Sequence, residues 1–295
     1  MSKSLQTTLI IPGILLFVLF FAMFPAVLTA GSEGVLQIHL GNGLASIRHY
    51  LGGLLSGESF QFIAGSTERS FWDQIGACFT VSFGYTAVGG VAGLTAGMLL
   101  GVYLAVSRRA RWMKRFLELT GILPDFVIVL LLQFLVVYIA SETGMVVFKV
   151  ASASTDDPAV ALPLISTILI PANYMIRNVA LQMNNAFTED YIGFAKARGL
   201  AKPYIVFFHA LPNVLPFVKA DLHKFMAILF GNLFIFEYLY NLNGVTLMVF
   251  SNAFAYGSYQ YSLVVNGLLA LLALYAVVYA LLRAVVYGWE KVIVR

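Results

Sequence analysis

Charged residues are scarce in this sequence: 11% of its 295 residues are Asp, Glu, Lys or Arg, against about 25% in an ordinary soluble domain. Hydrophobic residues make up 60% of the chain. A soluble fold of this length cannot bury so much apolar surface, so lipid must solvate much of it. Cysteine is nearly absent as well. Because Cys78 is the only one, an internal disulfide is excluded.

Catalytic motifs are also missing from the sequence. There is no HExxH, no GxSxG and no Cys/His spacing typical of a metal site. The nearest approach to a phosphate-binding loop is GGLLSGES at 52–59, where Glu58 takes the position of the required lysine and would repel phosphate. We therefore expect no catalytic residue, no metal and no cofactor in this chain. If it takes part in ATP-driven work, another chain hydrolyses the ATP.

Long apolar runs predict an all-α polytopic membrane protein that forms one domain over residues 1–295. A spanning helix needs ~20 largely apolar residues, and six segments qualify: 9–29, 79–106, 117–139, 159–179, 217–240 and 262–286. The first run is as long as a full span, and Leu28 is too large for the −3 position of a cleavage site. Both points favour an uncleaved helix over a signal peptide. Segment 31–74 is predicted to be an outer loop with short helices.

The distribution of basic residues predicts the orientation in the membrane. With the N-terminus in the cytoplasm, the outer side holds only Arg48, Arg69 and Lys149 of the 18 basic residues. This asymmetry satisfies the positive-inside rule. It places both termini in the cytoplasm and requires an even number of spans.

A stripe of glycines marks the second span. Gly89, Gly93, Gly97 and Gly101 recur at every fourth residue, and residues four apart lie on one helix face. A face without side chains lets a second helix approach closely. We expect a helix-packing seam. The alternative is a seam that slides during gating, and the spacing does not distinguish the two.

The loop between the fourth and fifth spans, residues 187–213, is the most informative segment. Residues 187–200 have a helix-compatible composition, and Gly199 is the predicted helix stop because glycine readily adopts the left-handed conformation. The Lys-Pro pair that follows predicts a turn. A second short helix should run over 204–210, until Pro212 ends it. This hairpin is too apolar for bare solvent, which favours a docked partner. The alternative is a hairpin folded back on the chain's own helices.

This hairpin resembles the "EAA" loop of ABC importer permeases, in which alanines precede a glycine and a Leu-Pro pair follows. Gly199 has Ala195 and Ala197 before it and Leu211-Pro212 after it at the family spacing. More narrowly, DYIGFAKARGL and HALPN resemble the dipeptide/oligopeptide/nickel permease family. The same is true of ILPDF at 122–126, FEYLYNLNGV at 236–245 and the segment from Tyr259 to Val265. The resemblance covers residues 75–295.

The sequence departs from the family pattern at several positions. Gly193 stands where the loop has its namesake glutamate, and Pro212 replaces an arginine. The segment 241–244 replaces a Trp-Pro-Gly sequence, and the family's N-terminal motif is not recognisable. These departures bear more on the substrate than on the class.

The resemblance implies a permease subunit of an ABC importer in the cytoplasmic (inner or plasma) membrane. The subunit would form half of the translocation pathway for peptides or a related small solute. Its hairpin would be a coupling helix seated in a groove of an ATPase subunit. The implied coupling residues are Asp190, Tyr191, Ala195, Ala197, Gly199, Leu200, Leu211 and Pro212.

The same resemblance implies the partners of the chain. They are a second, related permease subunit in a heterodimer, two cytoplasmic ATPases that bind ATP and Mg²⁺, and an extracytoplasmic substrate-binding protein. Nucleic acid is not expected as a partner.

Three polar residues in or beside the spans are candidates for lining a pathway: Asp125, Glu237 and Asn241. Asp125 follows Arg115 by ten residues, or about 15 Å along the third span at ~1.5 Å per residue, which is near the bilayer centre. A charge facing lipid there costs at least ~2.5 kcal/mol, so the side chain should face a partner or a watery cavity. The alternative is a protonated or hydrogen-bonded Asp125 that stabilises the helix around Pro124.

A secondary transporter or channel that works alone is the alternative function. It predicts inverted repeats or discontinuous helices, and the sequence shows no convincing repeat. An intramembrane enzyme would need a nucleophile–base pair within the spans, and none is present. Within the importer class, a peptide is the first expectation for the solute, and nickel or another small chelate is the second.

Overall fold

The structure, a computed structural model, describes residues 3–30, 36–107, 110–154 and 157–293. These ranges are mostly helical. The α-helices, numbered in chain order, are α1 (Lys3–Ala22), α2 (Phe24–Val27), α3 (Leu40–Ser56), α4 (Phe71–Val106), α5 (Arg111–Thr120), α6 (Asp125–Thr143), α7 (Ala161–Thr188), α8 (Asp190–Ala197), α9 (Lys202–Ile205), α10 (Leu211–Ala220), α11 (Leu222–Gly231), α12 (Leu233–Leu239), α13 (Val245–Asn252) and α14 (Tyr261–Ile293).

Short antiparallel ribbons and two irregular turns complete the described elements. The ribbons are β1 (Leu28–Ala30) with β2 (Leu36–Ile38), β3 (Gln61–Ala64) with β4 (Thr67–Ser70), and β5 (Phe254–Ala255) with β6 (Ser258–Tyr259). The turns are a 3₁₀ helix, Glu58–Phe60, and a π-helical turn, Val206–Ala210.

Five helical segments are long and apolar enough to cross a membrane: α4, α6, α7, the run Leu222–Leu239 formed by α11 and α12, and α14. A shorter apolar helix, Pro12–Val27, lies within the first predicted span. The prediction of an all-α polytopic membrane protein with about six spans is confirmed.

The third span begins later than its apolar run suggests. The sequence predicts a helix over 117–139, but α5 ends at Thr120 and α6 begins at Asp125. Pro124 precedes α6 with ψ 142°. It has no N–H to donate, so a helix begins after it more readily than it continues through it. The predicted position of Asp125 at the centre of a span is therefore wrong. Asp125 lies in the first turn of α6, where the helix dipole favours a carboxylate.

Contacts group the chain into two compact units, residues 1–80 with 243–273 and residues 81–242 with 274–295. The first unit contains the predicted outer loop, whose residues 31–35 lie outside the described part. The rest is ordered as α3, the 3₁₀ turn and the β3–β4 ribbon. The Tyr50 hydroxyl donates a 2.8 Å hydrogen bond to Asn266 Oδ1, and the Asn266 amide donates one of 2.8 Å to the Ser59 carbonyl. These bonds tie the outer loop to α14.

In the second unit, the glycine stripe of α4 lies against α7. A methyl group on Gly97 would come within 2.5 Å of Met175 Cβ, and one on Gly101 within 2.6 Å of Val179 Cβ. These distances are shorter than van der Waals contact, so the two helices pack this closely only because the side chains are missing. The remaining members of the stripe have the same relation: Gly89 faces Thr167, and Gly93 faces the carbonyl of Ile168.

Candidate functional site

The 187–213 hairpin begins where α7 ends. Glu189 alone separates α7 from α8, and its ψ of 146° turns the chain. Asp190 lies in the first turn of α8, where its carboxylate is favoured by the helix dipole. Ile192 and Ala195 are buried, with Ala195 4% exposed. One face of α8 therefore packs within this chain and the opposite face is exposed.

Gly199 ends α8 in the left-handed conformation that the sequence predicts, with φ 75°. The N–H of Gly199 bonds to the Lys196 carbonyl at 2.9 Å, and the N–H of Leu200 bonds to the Ala195 carbonyl at 3.3 Å. This pair of bonds is a Schellman motif, which satisfies the last carbonyls of the helix and reverses the chain. The angle between the two arms of the hairpin is thus set by the backbone.

The second arm differs from its prediction in two ways. Pro203 does not form a turn but lies in the first turn of α9, a position where the missing N–H has no cost. Pro212 does not end the arm, which continues through the π turn into α10. The N–H of Leu211 bonds to the Val206 carbonyl, five residues earlier. This wider turn carries the helix into Pro212, which again lies in a first helical turn.

The predicted coupling residues divide into three groups by exposure. Ala195 and Leu211 are buried within this chain. These two side chains are therefore not exposed for direct contact with a partner. Leu200 and Pro212 are half-buried. The remaining residues are exposed: Asp190, Tyr191, Ala197 and Gly199.

Aromatic side chains dominate the exposed part of the hairpin. Phe194 is 68% exposed, and Phe207 and Phe208 are also exposed. The ring of Tyr204 stacks on Phe208 with centroids 4.7 Å apart. Large apolar side chains held in the open by a rigid backbone are typical of a docking surface. We call this set (Tyr191, Phe194, Tyr204, Phe207 and Phe208) the aromatic face.

A hollow of about 310 Å³ lies between the two arms, next to the aromatic face. Phe194, Arg198, Tyr204 and His209 contribute to its lining. Asn213 donates a hydrogen bond to the Tyr191 hydroxyl at 3.2 Å, which fixes the ring at the edge of the hairpin. Partial desolvation of the hydroxyl raises the pKa of Tyr191, so its phenol stays neutral under ordinary conditions.

A second feature is a cavity of about 610 Å³ among α4, α5, α6, α7 and α11, which we call the polar cavity. Six charged side chains line it: Lys114, Glu118, Asp125, Arg177, Asp221 and Lys224. Asp125 lines this cavity from the first turn of α6. Asp221 and Arg177 are residues of this site that sequence reasoning did not single out. Their signal was a charge inside or at the edge of an apolar run.

Neutral hydrogen-bond donors hold the two aspartates of the polar cavity. Asn232 Nδ2 donates to Asp125 Oδ2 at 2.8 Å. The Tyr174 hydroxyl donates to Asp221 Oδ2 at 3.1 Å, and Asn178 Nδ2 donates to the same oxygen. The carboxylates are therefore fixed in position while each keeps its Oδ1 for other donors.

Glu237 and Asn241, the other pathway candidates, do not line this cavity. Glu237 is 1% exposed and accepts a 2.6 Å hydrogen bond from Ser82 Oγ, so it lies inside the helix packing. Asn241 has φ 51° and donates through its side-chain amide to the Ser152 carbonyl at 3.0 Å. It stabilises a turn. The sequence identifies both residues as polar, but it does not show the direction in which their side chains point.

No three His, Cys, Asp or Glu side chains come together as metal ligands within the described ranges.

The chain matches the family model described as "Binding-protein-dependent transport system inner membrane component" over residues 93–295. This region contains the hairpin and all of the polar cavity.

Two curated relatives that the chain resembles are also named as permease proteins. The dipeptide transport system permease protein DppB of Bacillus subtilis is 30% identical over 180 residues, which is 59% of this chain and 55% of that protein. The metal-staphylopine import system permease protein CntB of Staphylococcus aureus is 24% identical over 195 residues, or 64% of this chain and 60% of that protein. The chain thus spans little more than half the length of these relatives.

Proposed function

Because the chain belongs to the family of binding-protein-dependent transport system inner membrane components, we propose that it is a permease subunit of an ATP-driven importer. In this function it forms half of a translocation pathway with a second, related permease subunit. Two separate cytoplasmic ATPases supply the energy, and an extracytoplasmic binding protein delivers the solute. ATP and Mg²⁺ bind to the ATPases, since this chain has no phosphate-binding loop.

The observation that carries the proposal is the aromatic face of the 187–213 hairpin. A hairpin folded back on its own chain would bury these rings, yet Phe194 and its neighbours are exposed. Truncation of a hot-spot residue in an interface costs ~2 kcal/mol or more, and aromatic residues are enriched among hot spots, so such a face supports docking of an ATPase.

The connections of the hairpin support its role in coupling. Glu189 is the only residue between α8 and α7, and the second arm runs through α10 to α11 with Asp221 between them. A displacement of the hairpin would therefore act directly on two helices that line the polar cavity. Because the Schellman motif fixes the angle of the arms, the hairpin transmits such a displacement as a rigid element.

The orientation follows from the positive-inside rule. The hairpin lies on the side of the membrane that carries the basic residues, and this side is the cytoplasm. Both termini then lie in the cytoplasm. In this proposal the chain lies in the cytoplasmic membrane.

The solute in this proposal is a peptide or a related small solute. One relative is named as a dipeptide permease and the other as a metal-staphylopine permease. A peptide is the first choice, and a metal chelate is the second.

The test is purification of the chain from its native membrane in mild detergent, followed by identification of the chains that accompany it. The proposal expects ATPase chains and a second permease. In the variant Phe194→Ala the ATPases should be lost, with affinity weaker by roughly thirtyfold for ~2 kcal/mol. The matched control is Phe134→Ala, an equally exposed ring on α6 that lies outside the hairpin, and it should retain them.

A stand-alone transporter gives the opposite result. The chain would then purify without ATPases and would move solute in liposomes in response to an ion gradient alone. Either observation would contradict the importer proposal.

A further inference from the structure

Two acidic and two basic side chains line the polar cavity without pairing. They are Asp125, Asp221, Arg177 and Lys224. Lys114 and Glu118 complete the charged lining. Lys114 Nζ lies 4.0 Å from Glu118 Oε1 on the same helix face. Of the residues that the structure describes, none forms an ion pair with any of the four. Opposite charges that share a cavity normally pair unless something holds them apart.

The two aspartates are positioned by hydrogen bonds from neutral donors. Asn232 holds Asp125, while Tyr174 and Asn178 hold Asp221, and all three donors bind the Oδ2 atom. Each Oδ1 accepts no hydrogen bond from the described part of the chain. A carboxylate has about four acceptor positions, so both groups keep capacity for an additional donor.

The two cations are held in place as well. The Lys224 ammonium lies 5.1 Å from the centre of the Tyr174 ring. The Arg177 guanidinium lies against Gly121, where a side chain would collide with it. Tyr174 thus contacts both charges, Lys224 with its ring and Asp221 with its hydroxyl. The cavity therefore presents fixed positive and negative groups rather than a neutralised cluster.

One residue of the cavity lining has a buried oxygen without a hydrogen-bond partner among the described residues. Asn173 lines the cavity and donates through Nδ2 to Thr120 Oγ1 at 3.0 Å. Its Oδ1 is buried and has no hydrogen-bond partner among the described residues. A buried acceptor without a donor is unfavourable, and the bond to Thr120 orients the amide. Because the oxygen is itself buried, a solute in the cavity does not reach it in this conformation.

From this arrangement we infer that the polar cavity binds a solute that carries both an ammonium and a carboxylate, namely a short peptide. Asp125 and Asp221 receive the ammonium, and Arg177 and Lys224 receive the carboxylate. The volume of about 610 Å³ lies within the ~300–1,000 Å³ of small-molecule sites. The site presupposes the proposed importer function and adds to it the charges that the solute must have.

Binding at such a site has to be weak. A solute that crosses a membrane must leave the site as readily as it enters. We expect a Kd on the order of 1 mM. Ligand-observed NMR measures affinities in this range directly, and it separates this site from the selectivity of any binding protein.

The experiment uses the full chain in lipid nanodiscs with three probes: L-Ala-L-Ala, its N-acetyl derivative and its C-terminal amide. The first has both charges, the second lacks the ammonium and the third lacks the carboxylate. Each derivative should bind roughly tenfold more weakly than Ala-Ala, because each loses a charge-assisted hydrogen bond.

Single substitutions assign each charge to its end of the peptide. Arg177→Gln should lower Ala-Ala affinity to that of the amide, while the ammonium is still required. Asp221→Asn should lower Ala-Ala affinity to that of the N-acetyl derivative, while the carboxylate is still required. Asp125→Asn provides a second acidic variant if Asp221→Asn does not fold. The matched control is Lys219→Gln, because Lys219 pairs with Glu290 at 3.1 Å outside the cavity. It should leave all three affinities unchanged.

Two outcomes would overturn the inference: equal binding of the three probes by the wild-type chain, or no binding at 20-fold above the expected Kd, roughly 20 mM. The cavity would then be a hydrated part of the helix packing. The importer function has a separate test, since ATPases that accompany a chain without peptide affinity would leave that function intact. Peptide affinity in a chain that purifies without ATPases would support the binding site and contradict the importer function.

Discussion

The backbone N–H of Leu200 donates a 3.3 Å hydrogen bond to the carbonyl of Ala195, and this bond closes α8 across Gly199. The geometry requires the positive φ of Gly199. Side chains with a Cβ avoid that region because the Cβ approaches a carbonyl oxygen. One residue therefore fixes the direction in which the second arm leaves the first.

Replacement of this glycine should uncouple the hairpin. Gly199→Val adds strain of about 1–2 kcal/mol and tilts one arm against the other. The chain should insert into the membrane normally, while solute-stimulated ATP hydrolysis in the assembled complex falls. Gly193→Ala is the control, because a methyl group there meets no atom within 4 Å. Normal stimulation in the Gly199→Val complex would show that the hairpin angle does not matter.

The seam between α4 and α7 should tolerate no added volume. In Gly97→Leu the new side chain has its first atom 2.5 Å from Met175 Cβ, so the helices must separate at a cost of roughly 1–3 kcal/mol or more. The melting temperature of the chain in detergent should fall. Gly84→Leu, on the same helix but with no atom within 4 Å of the added carbon, should melt near wild type. Equal melting temperatures for the two variants would mean that the packing of α7 does not depend on the glycine stripe.

Tyr50 should stabilise the first unit in a way that depends on pH. In Tyr50→Phe the hydrogen bond to Asn266 is lost, and the free energy of unfolding should fall by about 1 kcal/mol. Burial raises the pKa of Tyr50 above 10.0, so its contribution is complete below pH 10 and declines as the pH rises through the folded-state pKa.

Denaturation of wild type and Tyr50→Phe at pH 7 and at pH 11 measures this effect. The difference between the two chains should shrink at the higher pH. Tyr287→Phe, an exposed residue, should match wild type at both. A difference that stays constant with pH would assign the stabilisation to packing alone.

Reporter fusions check the orientation. Fusions after Arg115 and Asn213 should report the cytoplasm, and fusions near Ser154 and Ser251 should report the outside, because the basic residues concentrate on the inner side. A cytoplasmic signal at Ser154 would reverse the third and fourth spans and contradict the proposed topology.

Regular spacing and local backbone chemistry are what the sequence predicts well. The four glycines of α4 lie against α7 because a period of four places them on one face. Gly199 takes φ 75° because a helix end followed by a reversal favours the residue without a Cβ. Neither property depends on residues far away in the chain.

Helix breaks inside apolar runs are predicted poorly. The run 117–139 is apolar on both sides of Pro124, so hydropathy does not show that α5 and α6 are separate. Pro212 was expected to end a helix, but the preceding π turn carries the chain through it. The effect of a proline thus depends on the hydrogen bonds of the turn before it.

The direction of a side chain is the other property that the sequence leaves open. Ala195 and Ala197 look alike in the sequence, yet Ala195 is buried and Ala197 is exposed. Asp125 and Glu237 are both carboxylates near spans, but only Asp125 lines the polar cavity. Such differences depend on the helices that pack against each residue.

The π turn of the second arm contains one residue more than a regular helical turn would need. A π turn accommodates its additional residue as a wider loop of backbone, so the helical segments on its two sides keep nearly the same faces inward. Val214 and Val218 lie on the inner flank of α10. Deletion of a single residue between 206 and 210 should therefore close the turn to a regular α-helical one and leave both valines inward. The second arm can thus lose one residue at this turn without exposing the apolar flank of α10.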